Sequence, residues 1–252
     1  MNFTVLSDIG KKRKINEDRA NVFVRSDFVH MAIVADGMGG HAAGEVASEM
    51  AISYLEQAFH SAEATSFSSE EQVLEWLTTK VEEINSTIYT HSLTHEECNG
   101  MGTTLLVLIL SKDMKILCHV GDSRAYGLVD HSLTQLTKDH SYVNILLEHG
   151  EISEEEAENH PQKNFIVRSL GTEKKIQSDI IPLTNQPFTR LLLCSDGLSN
   201  KLSDSELLYY LNSSETLETI AQALVNRANE LGGEDNITLV ILDIETEVSA
   251  TC

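Results

Sequence analysis

Proline is nearly missing from this sequence, with only Pro161, Pro182 and Pro187 in 252 residues, so proline-rich linkers are excluded. Cysteine is almost as sparse: Cys98, Cys118, Cys194 and Cys252 stand far apart, and no C-x-x-C occurs. That excludes a disulfide-stapled scaffold and points to a reducing, cytoplasmic setting. Long apolar runs are absent. The longest is Leu105 to Leu110, against the ~20 residues that a membrane span needs, so no span is expected. Met1 to Asp8 shows no basic stretch followed by an apolar one, so no secretory signal is expected. Positive charge is scarce too. Lys and Arg number 18 against 39 Asp and Glu, a net charge of −21. A chain that wraps nucleic acid or adheres to anionic lipid needs a basic face, so both classes are excluded. Cation binding stays open, since surplus carboxylates are what hard cations require.

What is present is ordinary for a globular protein: 41% hydrophobic and 23% charged residues, enough for a sizeable core in one domain over residues 1–252. Aliphatic runs predict strands over Val29–Ala35, Thr104–Ser111, Lys115–Val120, Arg190–Cys194 and Ile237–Ile244. Apolar residues three and four apart predict helices through Ala47–Ala58, Leu74–Ile88 and Leu217–Leu231. Ser69-Glu70-Glu71-Gln72, Ser153-Glu154-Glu155-Glu156 and Ser203-Asp204-Ser205-Glu206 each fit a capping box. Three residues join Thr104–Ser111 to Lys115–Val120, which makes that pair an antiparallel hairpin and the fold α+β. The stretch 139–178 is rich in glutamate between Glu148 and Glu158. It reads either as a solvated helix face or as a flap beside a site.

The aspartates are informative through their surroundings. Asp36 ends Ile33-Val34-Ala35 and precedes Gly37-Met38-Gly39-Gly40-His41; Asp196 ends a leucine run and precedes Gly197; Asp122 follows Val120-Gly121; Asp235 precedes Asn236 and the last apolar run. Carboxylates at strand ends are held at fixed points, and a neighbouring glycine lets the backbone turn or approach a ligand. Several converging there repel one another unless a cation neutralises them, and all-oxygen ligation suits Mg²⁺ or Mn²⁺. A single Asp-Gly after a strand is usually just a turn.

The ordered series Asp8-Ile9-Gly10 with Arg13, Asn16-Glu17-Asp18, Asp36-Gly37-Met38-Gly39-Gly40-His41, Gly100-Met101-Gly102-Thr103-Thr104, Val120-Gly121-Asp122-Ser123-Arg124-Ala125-Tyr126, Thr137-Lys138-Asp139-His140-Ser141, Ser195-Asp196-Gly197-Leu198 and Asp235-Asn236-Ile237-Thr238 resembles the metal-dependent serine/threonine protein phosphatases of type 2C, in their short bacterial, Gram-positive form. The resemblance runs from about Asp8 to Ile244. It implies a β-sandwich of two antiparallel sheets flanked by helices, with a binuclear Mn²⁺ or Mg²⁺ site in the cleft and a third ion beside it. It implies that Asp36 bridges the two core metals, that Asp196 and Asp235 hold the first, and that the Gly37 carbonyl with Glu17 and Asp18 serves the second, directly or through water. Asp122, with Asp196, matches the third site. The implied activity is hydrolysis of phosphoserine and phosphothreonine in proteins, by a monomer that reverses a cognate Ser/Thr kinase.

Such chemistry needs no protein nucleophile, because paired metals activate water for in-line attack. Arg13 is then expected to fork onto phosphate oxygens rather than serve as one more surface charge in Lys11-Lys12-Arg13-Lys14. The animal enzymes carry a histidine directly after Asp-Gly; here Met38 stands there. His41 is the candidate acid for the leaving alkoxide, or else packs at the following helix. Two rival readings are a non-catalytic phosphoprotein-binding relative and a hydrolase of small phosphate esters.

Overall fold

The computed structural model describes residues 1–39, 43–112 and 114–244. The strands there are β1 (Asn2–Asp8), β2 (Asp18–Val24), β3 (His30–Met38), β4 (Gly102–Thr103), β5 (Leu105–Leu110), β6 (Lys115–Val120), β7 (Arg124–Val129), β8 (Ser132–Gln135), β9 (Asp179–Pro182), β10 (Arg190–Cys194) and β11 (Ile237–Asp243). The helices are α1 (Ala43–Ser61), α2 (Glu70–Thr94), α3 (Tyr142–Glu148), α4 (Glu154–Glu158), α5 (Asp196–Ser199), α6 (Asp204–Leu211) and α7 (Leu217–Glu230). One sheet has the order β1-β11-β10-β7-β8 and the other β2-β3-β5-β6-β9, with β4 added to the end of β3. All paired strands are antiparallel, including the β5–β6 hairpin expected from the sequence.

Three apolar layers hold these elements together. Met31, Ile33, Val107 and Ile109 pack against Ala47, Leu55, Leu77 and Ile84 of α1 and α2. Leu192, Leu239 and Ile241 pack against Ile220 and Leu224 of α7. Between them, Ala32, Val34, Leu106 and Leu108 meet Leu191, Leu193, Val240 and Leu242. The result is a β-sandwich covered by helices on both outer faces. Each fully buried aliphatic side chain contributes ~1.5–3 kcal/mol, so strands buried on both faces, such as β5, dominate the core.

The capping boxes at Ser153 and Ser203 both form. At Ser69 only half does: its Oγ accepts from the Gln72 N–H, while the Gln72 side chain takes the Ser68 hydroxyl instead. Six strands escaped the sequence reading, the shortest of them the two-residue β4. β1 and β9 are edge strands, β8 is half exposed, β2 opens with Asp18-Arg19, and β7 carries Gly127 in mid-strand. All are polar or interrupted where an apolar run would have marked them. β3 continues past Ala35 to Met38 because Gly37 and Met38 pair with Thr103 and Gly102.

Residues 139–178 form the expected insertion, with α3 and α4 ahead of β9. Its glutamates 148, 151, 154, 155 and 156 are exposed, three of them in the first turn of α4 where acids favour the helix dipole. The glutamate run is therefore a solvated face on a flap, and both sequence readings hold in part. Among the described residues no helix is long and apolar enough to cross a membrane.

Candidate metal centre

Strand alternation carries the acids into the cleft. Along β3, Met31, Ile33 and Ala35 face the helices while Ala32 and Val34 face the other sheet, so Asp36 continues the inter-sheet row. Val22 of β2 also lies in the inter-sheet layer, and Asp18, four residues earlier, shares its face. The β2–β3 register sets Asp18 directly opposite Asp36, an arrangement of like charges that by itself destabilises a sheet. From the second sheet, the row Leu191–Leu193 leads to Ser195, followed by Asp196 at the start of α5. The sheets are tied here: the Ser195 hydroxyl donates to Asp18 Oδ2 at 2.7 Å, and the Thr238 N–H donates to Ser195 Oγ at 3.0 Å.

The acids feel one another strongly. Burial first, then Asp18, Asp196, Asp122 and Asp235, hold the Asp36 carboxyl well above its ordinary range. Burial pushes Asp18 up to about 7, against the hydrogen bonds from Ser195 and Thr238, with Asp196 and Asp235 adding to the rise. Asp196 is pushed up to about 6 by burial and Asp235, relieved by a hydrogen bond with Asp36. Asp122 is raised well above its ordinary value by burial, Asp196 and Asp139, and Glu17 is raised by burial against the pull of Arg13. Asp36, Asp196 and Asp235 nevertheless keep a solvent-facing edge at the mouth of the cleft.

One cation answers this group directly. Arg13 reaches in from its loop, with Nη2 at 2.7 Å from Asp235 Oδ2 and Nη1 at 3.9 Å from Glu17 Oε2. It is therefore not a plain surface charge. Arg124 belongs elsewhere: its fork lies on Asp139, with Nη2–Oδ2 at 2.7 Å, which leaves Asp122 Oδ1 buried with no hydrogen-bond partner. Glu17 Oε1 is buried and unpartnered as well. Gly37 sits where β3, Glu17 and α1 converge. A Cβ there would stand 2.1 Å from the Gly44 carbonyl oxygen and 2.6 Å from that of Glu17, so only glycine fits. His41 lies outside the described residues, together with Gly40 and Ala42.

Several residues that build the site carried no mark of their own in the sequence. Asn236 accepts the Glu17 N–H at 2.8 Å and donates to the Ile9 and Ile15 carbonyls at 2.9 and 3.0 Å, clamping both ends of the loop that carries Arg13. Ser195 and Thr238 are equally hidden. Their only signal was membership of the family motifs around Asp196 and Asp235. Asp122 opens onto a cleft of about 780 Å³ under the flap, lined also by Asp139, Asn144, Glu154, Lys163 and Lys201.

The family model for Protein phosphatase 2C matches residues 10–235. The chain belongs to that family. It is 44% identical over 237 residues to the serine/threonine phosphatase Stp of Listeria monocytogenes, covering 94% of this chain and 93% of that protein. It is 41% identical over 248 residues to the protein phosphatase PhpP of Streptococcus pneumoniae, covering 98% and 99%. Among solved structures, the Streptococcus agalactiae serine/threonine phosphatase superposes with a TM-score of 0.91 at 36% identity, over 97% of this chain and 99% of that one.

The residues present fit a cation-binding protein phosphatase 2C site. Asp18, Asp36, Asp122 and Asp196 perturb one another, Glu17 and Asp122 hold orphaned buried oxygens, and the donors are all oxygen, the set that hard divalent ions take. The uncompensated charge has a consequence for the metal-free protein. Asp18 and Asp196 bind protons more tightly folded than unfolded, so their contribution favours folding at low pH and is lost as pH climbs from near 3.8 through about 6 and about 7. In the presence of chelator, the melting temperature is expected to fall as pH rises through this window, and saturating Mn²⁺ is expected to remove most of the slope. Thermal melts between about pH 5 and 8 with and without Mn²⁺ check it. Equal slopes in both conditions would refute it.

Proposed function

We infer that this protein is a metal-dependent serine/threonine phosphatase that hydrolyses phosphoserine and phosphothreonine in proteins. The observation that carries the reading is the convergence of Asp18, Asp36, Asp122 and Asp196 from two sheets onto one cleft, with Arg13 as the cation that reaches in. Within this reading the whole chain acts as one catalytic domain, supported by the continuous apolar layer between the sheets.

Asp36 would bridge two Mn²⁺ or Mg²⁺ ions, Asp196 and Asp235 would hold the first, and the Gly37 carbonyl with Glu17 and Asp18 would serve the second, directly or through water. Asp122 with Asp196 would hold a third. Bound ions supply the charge that lowers the pKa of water and neutralises phosphoryl oxygens. The protein's own residues do the rest. Ser195 and Thr238 fix the Asp18 carboxylate by hydrogen bonds, which hold it in one orientation. Asn236 holds the Arg13 loop against the cleft, and the guanidinium that here neutralises Asp235 is the fork available to a substrate phosphate. His41 is the sequence-based candidate for protonating the leaving alkoxide. The likeness to short bacterial type 2C phosphatases further supports a monomer acting against a cognate Ser/Thr kinase. The buried free thiols of Cys98, Cys118 and Cys194 suit a reducing cytoplasm.

Hydrolysis of a phosphopeptide and of a small aryl phosphate, each with and without Mn²⁺, tests the reading. Mn²⁺-dependent turnover favouring the phosphopeptide is expected; preference for the aryl ester, or turnover that survives chelation, would overturn it. The third site has its own test. Asp122 has one unpartnered oxygen and leans on Asp196 for company, so a cation there meets fewer carboxylates and binds more weakly. Turnover of the wild type is expected to rise with Mn²⁺ in two phases, and Asp122→Asn is expected to lose the upper one. Superimposable normalised curves would remove Asp122 from the metal site.

A further inference from the structure

His140 stands at the base of the flap and touches none of the acids assigned to the metals. It holds Gly121, the residue before Asp122, at two points. The His140 backbone N–H donates to the Gly121 carbonyl at 2.8 Å, and the Gly121 N–H donates to His140 Nδ1 at 3.0 Å. Gly121 has φ +111°, and a Cβ there would lie 2.6 Å from Thr104 Cγ2, so this turn is reserved for glycine and needs outside support to stay in one conformation. On the far side of the ring, His140 Nε2 lies 3.2 Å from Asp179 Oδ2 at the start of β9. Arg168, late in the flap, bonds to Asp179 Oδ1 at 3.2 Å, and the Val167 N–H donates to the His140 carbonyl at 2.9 Å. Both ends of the flap therefore close on this one histidine.

His119, His140 and Asp179 place ligand-type atoms within 4.8 Å of one another, and His119 has both ring nitrogens buried without partners. A metal there fails on proton bookkeeping. A ligating histidine normally donates its other ring N–H. Here Nδ1 of His140 already accepts from Gly121, so the neutral ring carries its proton on Nε2, towards Asp179, and the Arg168 guanidinium, 3.0 Å from the same nitrogen and itself bonded to Asp179, closes off that side. A metal at Nε2 would have to strip that proton and leave an imidazolate. His119 instead stacks on His140, with ring centroids 4.6 Å apart, and burial keeps it neutral by pushing it down to about 3.

We propose that His140 is a positioning residue for Asp122: the chain Asp179–His140–Gly121 sets the turn that aims the Asp122 carboxylate, and it ties that aim to the base of the flap. The proposal rests on Asp122 being a ligand of the third cation. Two near-isosteric variants separate the two ends of the imidazole. His140→Asn puts Oδ1 where Nδ1 stands, keeping the acceptor for Gly121 and giving up Asp179. His140→Gln carries its amide to the position of Nε2, keeping Asp179 and leaving the Gly121 N–H without a partner.

Calorimetric Mn²⁺ titration reads both binding phases without reference to turnover, and thermal melting confirms that each variant is folded. His140→Gln is expected to weaken the low-affinity phase about tenfold or more, the usual cost of losing a residue that orients a ligand, and to leave the tight phase intact. His140→Asn is expected to leave the tight phase intact and to weaken the low-affinity phase less than His140→Gln does, because the Gly121 contact survives and only the tie to Asp179 is lost. A wild-type low-affinity phase in His140→Gln, or equal weakening in Asn and Gln variants, would overturn the proposal. Asp122→Asn run alongside distinguishes the two ideas. If it keeps the low-affinity phase, the third-site reading is what fails and the positioning role falls with it; if it loses the phase while His140→Gln does not, the positioning role alone is wrong.

Discussion

Asp36→Asn is expected to lower phosphopeptide turnover about a thousandfold or more at saturating Mn²⁺. The reason is where the side chain points. Asp36 is opposite Asp18 in the sheet, hydrogen-bonded to Asp196, and charged against Asp122 and Asp235, so it is the carboxylate all the others surround. Metal ions in a hydrolytic site supply several kcal/mol of charge stabilisation, and ~4 kcal/mol corresponds to a factor of ~10³ in rate. An amide in this place keeps the shape and removes the charge that gathers the cations. The same change relieves repulsion in the metal-free protein, so the variant in chelator is expected to melt no lower than the wild type. Steady-state assays paired with thermal melts check both halves. Asp196→Asn and Asp235→Asn follow the same argument, and wild-type turnover in any of the three would remove that residue from the core.

Arg13→Ala is expected to reduce kcat/KM for a phosphopeptide about 10- to 100-fold, mostly through KM, because losing a charge-assisted hydrogen bond to phosphate costs ~1.5–3 kcal/mol. Its place beside Asp235 adds a second expectation. The guanidinium at 2.7 Å competes with any cation for that carboxylate, so Mn²⁺ affinity in the variant is expected to hold or tighten rather than fall. Arg13→Lys is expected to recover only part of the loss, since an ammonium lacks the planar two-point fork. Unchanged KM in both variants would return Arg13 to the role of partner for Asp235 alone. A large loss of Mn²⁺ affinity would make it a support of the metal site instead of a substrate group.

Much of this architecture was readable along the chain. The helical stripes through α1, α2 and α7 and the β5–β6 hairpin follow from local periodicity, which needs no knowledge of distant partners. Strands such as β2 and β7 were not readable. They become strands by pairing with β3 and β10, and their residues at the cleft end are polar for the sake of the site. The motif residues Asp36, Asp122, Asp196 and Asp235 were legible as acids at chain reversals. Ser195, Thr238, Asn236 and His140 entered only as members of the family motifs, because a hydroxyl, amide or imidazole has no spacing rule that betrays its partner, whether 19 residues away as for His140 or 219 as for Asn236.

By itself the sequence determined the acidic, low-cysteine character of the protein, the α+β class, and the ordered set of acids with the family resemblance they carry. Tertiary structure alone decided which oxygens are left without partners, that Arg13 turns inward to Asp235, and that Arg124 serves Asp139 and leaves Asp122 free. It also decided that His140 clamps Gly121 and Asp179. The physical reason is range. Periodicity and capping act within a few residues and so are written in order along the chain. A carboxylate's electrostatic surroundings depend on which strands lie side by side, and that is settled only when two sheets close over a shared apolar layer.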